Sequence, residues 1–355
     1  MNILAIESSC DETACAVVKD GTLNLSDIVA SSKELHEKTG GVVPEVAARK
    51  QMEFIIPVVE QTLRKFYGDI SEKDFQEKKR TGDDIDSIAV TVGPGLVGSL
   101  IVGVEAAKSL SLAWRKPLIP VNHLVGHIYA NFLKTDFVSP EKNIEFPAVA
   151  LLVSGGHTDL VLMRGHDNFE YLGGTLDDAA GEAFDKTARL LGLSKYLGGV
   201  LLSKKASECE KNNIAGILPR PMIYEDSFDF SFSGLKTAVR RLIEKKDYSI
   251  EEVACEFENA VCDVLVEKST KAIKKFNVKS FLMGGGVAAN KQLRCRLENK
   301  AKELGVSFYV PPLSLCTDNA VYIASAAYFT YVRGGKTQEI GNIKVNPSLG
   351  IMDQV

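Results

Sequence analysis

No stretch of this chain approaches the roughly 20 consecutive apolar residues of a membrane helix. Its opening Met-Asn-Ile-Leu-Ala-Ile has no basic segment leading into an apolar one, as a secretory leader would. A cytoplasmic protein without a membrane partner is therefore expected. Cysteine is sparse and unpaired in pattern: Cys10, Cys15, Cys209, Cys255, Cys262, Cys295 and Cys316 are odd in number and form no Cys-x-x-Cys. That excludes a disulfide framework and a cysteine zinc site. There is no Walker A sequence. Nor is there a basic excess: 42 Lys and Arg against 46 Asp and Glu leave a net charge of −4, with a pI near 5.9. Phosphate contacts need a basic surface, so an RNA substrate would call for help from another chain. Local clusters such as Lys236 with Arg240 and Arg241 read equally as solvated helix faces.

What is present is ordinary globular material, 355 residues with 45% hydrophobic and 25% charged, enough for two domains. Three apolar runs end abruptly in glycine or hydroxyl turns. Ile3-Leu4-Ala5-Ile6 runs into Glu7-Ser8-Ser9-Cys10-Asp11-Glu12-Thr13, Val149 to Val153 into Ser154-Gly155-Gly156-His157-Thr158, and Ser280 to Met283 into Gly284-Gly285-Gly286. Such turns aim backbone N–H groups at one point, and glycine lets an anion approach the main chain. A nucleotide in a cleft between two related halves is the reading they support.

Hydrophobic periodicity predicts strands at 2–7, 13–19 and 22–31, a helix from Pro44, a charged surface excursion from Gly68 to Asp86, then strand, helix, strand and helix to Leu133. Strands at 147–153, 157–163 and 169–173 repeat the opening. Helices at 198–211, 233–246 and 249–276, a strand at 279–283, a helix at 289–304, a strand at 306–310 and a closing helix at 318–333 complete it. Three strands followed by helix and strand alternation, met twice, is the order of a duplicated ribonuclease-H-like α/β fold with a central cleft. The halves show no close sequence repeat. The expected division is an N-terminal lobe at 1–134, a junction at 134–146, a C-terminal lobe with a helical insertion at 146–335, and a tail at 336–355.

Gly93-Pro94-Gly95-Leu96-Val97-Gly98 fits G-x-G-x-x-G between strand and helix. A dinucleotide site would need an acidic ribose ligand about 20 residues further on, at the end of the next strand. That place holds Val121-Asn122-His123, so a tight strand-to-helix turn, or a loop that lets a ligand come close, is preferred. His123 and His127 are the strongest side-chain signal, since a helical spacing of four puts both imidazoles on one face within reach of one metal ion. Two histidines satisfied at a helix start are the plainer reading. The zinc-protease motif requires Glu directly after the first His, and His-Leu-Val-Gly-His lacks it. Asp318, at the mouth of the closing helix, is either its N-cap or the third ligand. Two His and one carboxylate suit Fe(II) or Zn(II) and leave positions open for substrate.

These residues resemble the bacterial TsaD family, the tRNA adenosine threonylcarbamoyltransferases. The resemblance runs from residue 1 to about 350. Besides the segments already quoted it is carried by Gly40-Gly41-Val42-Val43-Pro44-Glu45, by Asp177-Asp178-Ala179-Ala180-Gly181-Glu182-Ala183-Phe184-Asp185-Lys186, by Phe230-Ser231-Phe232-Ser233-Gly234-Leu235-Lys236-Thr237, by Gly284-Gly285-Gly286-Val287-Ala288-Ala289-Asn290 and by Cys316-Thr317-Asp318-Asn319. It implies the two-lobed fold of actin, sugar kinases and Hsp70-type chaperones. It implies transfer of threonylcarbamoyl from threonylcarbamoyl-AMP to the exocyclic amine of adenosine 37 in tRNAs that read codons beginning with A. It also implies a TsaB-like paralogue and a TsaE-like ATPase as partners. By the same resemblance one divalent metal, Fe(II) before Zn(II), is held by His123, His127 and Asp318. Leu152, Val153, Ser154, Gly155 and Gly156 form the adenylate loop, Asp185 and Gly199 face the ribose, and Asn290 the adenine or ribose. Two departures stand out: Leu197-Gly198-Gly199-Val200 replaces a frequent Pro-Gly-Gly-Pro, and Ser203 occupies a position acidic in many relatives.

An acyl adenylate is already activated, so orientation and charge stabilisation matter more than a strong base. Asp11 and Glu12, after the first strand, are the candidate catalytic carboxylates. Asp11 would orient or deprotonate the amine, or else cap the turn. Lys236 and Arg240 would face tRNA phosphate, or else belong to a capped amphipathic helix. The rival functions are an actin-like ATPase or small-molecule kinase, which has no need of the His pair, and a metalloprotease.

Overall fold

A computed structural model describes residues 1–134, 144–166, 168–209, 214, 216–245, 247–332, 338–353 and 355. Two compact units form, Met1–Asn143 with Pro312–Val355, and Ile144–Pro311. Most of the expected junction, 135–143, lies outside the described residues.

The first unit is built on β1 (Asn2–Glu7), β2 (Glu12–Lys19), β3 (Leu23–Ser31), α1 (Lys33–Thr39), α2 (Pro44–Tyr67), α3 (Glu72–Thr81), β4 (Ser87–Gly93), α4 (Val97–Trp114), β5 (Leu118–Asn122) and α5 (His123–Tyr129). Its sheet runs β3-β2-β1-β4-β5, an antiparallel meander followed by parallel pairings of β4 with β1 and β5. The apolar run at β1 is buried throughout, as a central strand covered on both faces must be. Leu4 and Ile6 join Ile55, Val59 and Leu63 of α2 and Val104 and Ala107 of α4 in one core. Alternation along the strand turns Ile3 and Ala5 to the opposite face.

The charged stretch from Gly68 to Asp86 is more ordered than its composition suggests. Ser71 accepts from the Asp74 N–H to cap α3, and Phe75 is buried beneath it. By length and composition alone α4 is apolar enough to cross a membrane, although Glu105 and Lys108 keep it from being a continuous apolar run. Its apolarity is accounted for by packing on β4 and α2, with Leu100, Val104, Ala107 and Trp114 buried.

The second unit comprises β6 (Ala148–Val153), β7 (Thr158–Gly165), β8 (Asn168–Gly174), α6 (Ala180–Leu190), α7 (Gly199–Ser207), α8 (Ser233–Lys245), α9 (Ile250–Phe276), β9 (Ser280–Gly284), α10 (Lys291–Glu303) and β10 (Ser307–Tyr309). Read from β8, its sheet order β8-β7-β6-β9-β10 reproduces β3-β2-β1-β4-β5, with the same two antiparallel and two parallel pairings. The duplication, invisible as a sequence repeat, is plain in the topology. The α/β ribonuclease-H-like reading therefore holds in each unit.

The chain then returns to the first unit. Helix α11 (Val321–Val332) packs against β1, β2, β4, β5 and α5. Beyond it Asn346 N–H donates to Val92 O and Gly95 N–H to Pro347 O. A C-terminal lobe reaching 335 and a separate tail at 336–355 thus do not describe this molecule. A helix with Val321, Tyr322, Ile323, Ala324, Ala326 and Ala327 all buried needs apolar cover on several sides, and the first sheet supplies it.

Candidate functional site

In the first unit β5 delivers the chain into α5 at the His pair. Asn122 caps that helix by accepting from Leu124 N–H (2.9 Å), and its amide donates to Gly350 O (2.8 Å). His123 and His127 then stand on one face, ring centroids 4.6 Å apart. Between them Gly126 is obligatory: a β-carbon there would come 2.7 Å from Tyr322 and 2.8 Å from Ile323, so only glycine lets α5 and α11 approach. Asp318 lies 3.5 Å by Oδ1 from Nε2 of each imidazole. It is not the helix cap. Asn319 takes that role, accepting from Val321 N–H (3.0 Å) and Tyr322 N–H (3.3 Å), and Asp318 receives the Tyr322 hydroxyl (3.3 Å).

The ligand atoms of His123, His127 and Asp318 all lie within 4.8 Å of one another, the one such group among the described residues. The two imidazoles are buried and Asp318 is half-buried, and two imidazole nitrogens and a carboxylate oxygen converging on one side fit a divalent first-row ion. Burial pushes the Asp318 carboxyl up, but the charged His123 and the His127 hydrogen bond outweigh it and leave the carboxyl well below the usual range. His123 is pushed down by burial and, more strongly, up to about 9 by the Glu7 and Asp318 charges.

Glu7 was not legible as a site residue. It is fully buried at the end of β1. Its Oε1 accepts from Ser9 N–H (2.6 Å), and its Oε2 from the Thr91 hydroxyl (2.5 Å), with His123 Nδ1 at 3.1 Å. The one available signal was a charge directly after the apolar run Ile3 to Ile6, at the buried end of β1.

Asp11 closes the β1–β2 turn and Glu12 opens β2, and the backbone of this segment is strapped down. Gln51 donates to the carbonyls of Cys10 (2.8 Å) and Glu12 (3.1 Å), and Ser32 donates to that of Asp11 through N–H (2.9 Å) and hydroxyl (3.0 Å). Burial, then the charges of Asp318 and Asp11, raise the Glu12 carboxyl to about 9. The glycine turn at 93–98 packs against this segment: Leu96 N–H donates to Ser9 O (2.7 Å), and a β-carbon on Gly95 would lie 2.9 Å from the Ser9 side chain. It is a tight structural turn.

In the second unit Leu152 and Val153 are buried strand residues, and the turn follows them. Ser154 N–H donates to His157 O (2.8 Å), His157 N–H to Ser154 Oγ (3.1 Å), and Gly181 N–H, at the start of α6, to Ser154 O (3.1 Å). A β-carbon at Gly155 or Gly156 would meet nothing within 4 Å, so the loop has open space beside its backbone. Asp185 and Gly199 come together, Gly199 N–H donating to Asp185 Oδ1 (2.9 Å). Asn290 caps α10 by accepting from Leu293 N–H (2.8 Å), while its amide donates to Ser203 Oγ (3.0 Å) and Glu258 Oε1 (2.7 Å). The departure at Ser203 therefore sits directly against Asn290, and Glu258 is a further polar group that sequence reasoning missed. Leu197 adopts a left-handed φ of 48°. Lys236 and Arg240 lie on α8, with Arg240 exposed. The first turn of α8 is already met by Asp177, which accepts from Phe232 N–H (2.8 Å), Ser233 N–H (3.2 Å) and the Ser231 and Ser233 hydroxyls.

A model of the family described as TsaD, tRNA N6-adenosine threonylcarbamoyltransferase, matches residues 24–325. A Bacillus subtilis (strain 168) protein of that name is 49% identical over 340 residues, covering 94% of this chain and 92% of its own. A Dehalococcoides mccartyi (strain BAV1) protein of the same name is 50% identical over 353 residues, covering 99% of both. Among solved structures, HypF of T. kodakarensis superposes with a TM-score of 0.62 at 15% identity, over 96% of this chain and 49% of that one. Component A of the Acidaminococcus fermentans (R)-2-hydroxyglutaryl-CoA dehydratase gives 0.51 at 17%, over 95% and 100%. These two likenesses are of fold alone.

Proposed function

The chain belongs to the family of tRNA N6-adenosine threonylcarbamoyltransferases, and from that membership we propose that it moves threonylcarbamoyl from threonylcarbamoyl-AMP to the exocyclic amine of adenosine 37 in tRNAs reading codons that begin with A. The observation that carries the site assignment is the His123–His127–Asp318 centre, with Asp318 relieved of capping by Asn319. An ion held there, Fe(II) first and Zn(II) as the alternative, supplies Lewis-acid polarisation and a grip on substrate oxygens.

The remaining work falls to the chain's own groups. The amine nitrogen forms a bond to the carbamoyl carbon as the bond from that carbon to the phosphate oxygen breaks, and AMP leaves with the electron pair. Asp11 receives the proton that the amine sheds, and Glu12, held protonated by its surroundings, keeps a second negative charge out of that turn. Backbone N–H groups of Gly155 and Gly156 hold the departing phosphate, where the loop has room for it, while the Ser154 N–H closes the turn on His157 O. Asp185, Gly199 and Asn290 fix the nucleoside, and Asn290 is aimed by Ser203 and Glu258. The adenosine must come from an unstacked loop, since a paired stem hides its amine.

Lys236 and Arg240 provide phosphate contacts, but a net charge of −4 leaves much of the tRNA to a partner. A TsaB-like paralogue and a TsaE-like ATPase fill that place in the proposal. Exposed Met52 and Ile56 on α2 and Val97 and Ile101 on the adjoining α4 offer an apolar face to such a paralogue. The setting proposed is the cytoplasm.

AMP release from threonylcarbamoyl-AMP, followed with and without tRNA and with the two partner subunits, tests this reading. Release that depends on tRNA is expected. ATP hydrolysis without tRNA, and no AMP release with it, would favour an actin-like ATPase instead.

A further inference from the structure

We infer that Glu7 is the positioning residue of the metal centre: its buried carboxylate fixes the His123 ring with Nδ1 protonated, so that the Nε2 lone pair faces Asp318. This rests on the metal reading above. The geometry leaves the carboxylate little freedom. Ser9 N–H holds Oε1 at 2.6 Å and the Thr91 hydroxyl, on the neighbouring strand, holds Oε2 at 2.5 Å. Both oxygens are thereby pinned, and Oε2 still faces His123 Nδ1 at 3.1 Å. A carboxylate can only accept, so Nδ1 must donate. A neutral ring carrying its proton on Nδ1 has an unprotonated Nε2, and that nitrogen lies 3.5 Å from Asp318 Oδ1, where the third ligand is. The Ser9 hydroxyl, at 3.4 Å from Nδ1, is a weaker partner than Glu7.

His127 makes the contrast. Its Nδ1 is buried and has no hydrogen-bond partner among the described residues. That ring is oriented instead by packing, with Tyr322 at 4.7 Å between centroids. One ligand is thus set by an anchored carboxylate and the other by shape. Carboxylates behind ligating histidines fix tautomer and orientation, and losing one typically costs about 10–100-fold in metal affinity.

The test is Glu7→Gln, the same size without the charge. Turned so that its oxygen still meets Ser9 N–H, the amide would present N–H to Nδ1. It would thereby force the proton onto Nε2, the ligating nitrogen. Zn(II) affinity is measured by competition with a chromogenic chelator at alkaline pH, where a second ring proton competes least. Ring ¹⁵N shifts of the metal-free protein at that pH report the tautomer. The expected result is a Kd about 10–100-fold higher, a proton moved from Nδ1 to Nε2, and an unchanged melting temperature of the metal-free protein. An unchanged Kd with an unchanged tautomer would overturn the assignment. Should Glu7→Gln fail to fold, Thr91→Val carries the test: it frees one carboxylate oxygen and is expected to raise Kd in the same direction, and an unaltered Kd would again overturn it. A wild-type protein that takes up no Zn(II) would refute the metal reading itself, a result distinct from either.

Discussion

Replacing Gly285 by alanine should destabilise the second unit and disturb the Ser154–Gly156 loop, proposed to hold the adenylate, at once. Gly285 follows β9 with φ 92° and ψ 170°, a region open in practice only to glycine. Side-chain-bearing residues forced there cost about 1–3 kcal/mol. The new methyl would also press into the backbone of Val153, 2.8 Å from its carbonyl carbon and closer still to the oxygen, and would lie 3.3 Å from the Ser154 Cβ. Val153 cannot easily yield, because β6 is paired on both sides, with β7 and with β9. Overpacking of this kind adds about 1–3 kcal/mol. The least combined loss, about 2 kcal/mol, corresponds to roughly 4–8 °C in melting temperature for a unit of this size. Any relief must come by moving Ser154, so AMP affinity measured by calorimetry should fall with stability. Gly155→Ala is the control, since its methyl meets no protein atom within 4 Å. It should leave the melting temperature alone and weaken AMP binding only if the phosphate lies against that backbone. A Gly285→Ala protein that melts within about 1 °C of wild type and binds AMP normally would refute the steric argument.

Metal uptake should depend steeply on pH. With His123 raised to about 9, the metal-free ring holds a proton at neutral pH that an incoming ion must expel. Apparent Zn(II) affinity should therefore climb about tenfold per pH unit up to about pH 9 and level off above it. Chelator competition across that range checks this, and a flat profile from pH 7 to 9 would contradict it. On α8, Lys236→Ala and Arg240→Ala should each weaken tRNA binding and reduce the slope of log affinity against log salt by about one per lost phosphate contact. Filter-binding titrations at several salt concentrations measure this. Equal losses in AMP binding would place these residues in the nucleotide site instead.

How much of this was visible beforehand depends on how local the cause is. β1, β6 and β9 are continuous apolar runs cut off by turn residues, and they emerge within a residue or two of their expected bounds. The α3 helix was hidden because Phe75 is its only buried side chain, too little for periodicity to register. The place of α11 was misjudged because sequence adjacency favours the preceding unit, whereas packing on β1 and α5 is a long-range fact. The His pair was legible from spacing alone, since four residues on a helix is a geometric statement. Asp318 stayed ambiguous between cap and ligand until Asn319 was seen to hold the N–H groups of Val321 and Tyr322. Glu7 and Glu258 act across 116 and 32 residues of separation, on His123 and Asn290. No local pattern could have connected either pair.

The central claim joins the His–His–Asp centre to acyl transfer onto tRNA. Its most direct test is mass spectrometry of nucleosides from unmodified tRNA incubated with threonylcarbamoyl-AMP and either wild-type protein or His127→Ala, each with the paralogue and ATPase present. The account predicts threonylcarbamoyladenosine from wild type and none from a folded variant. Equal product from both would remove the metal centre from the reaction, and no product from wild type would contradict the transferase reading.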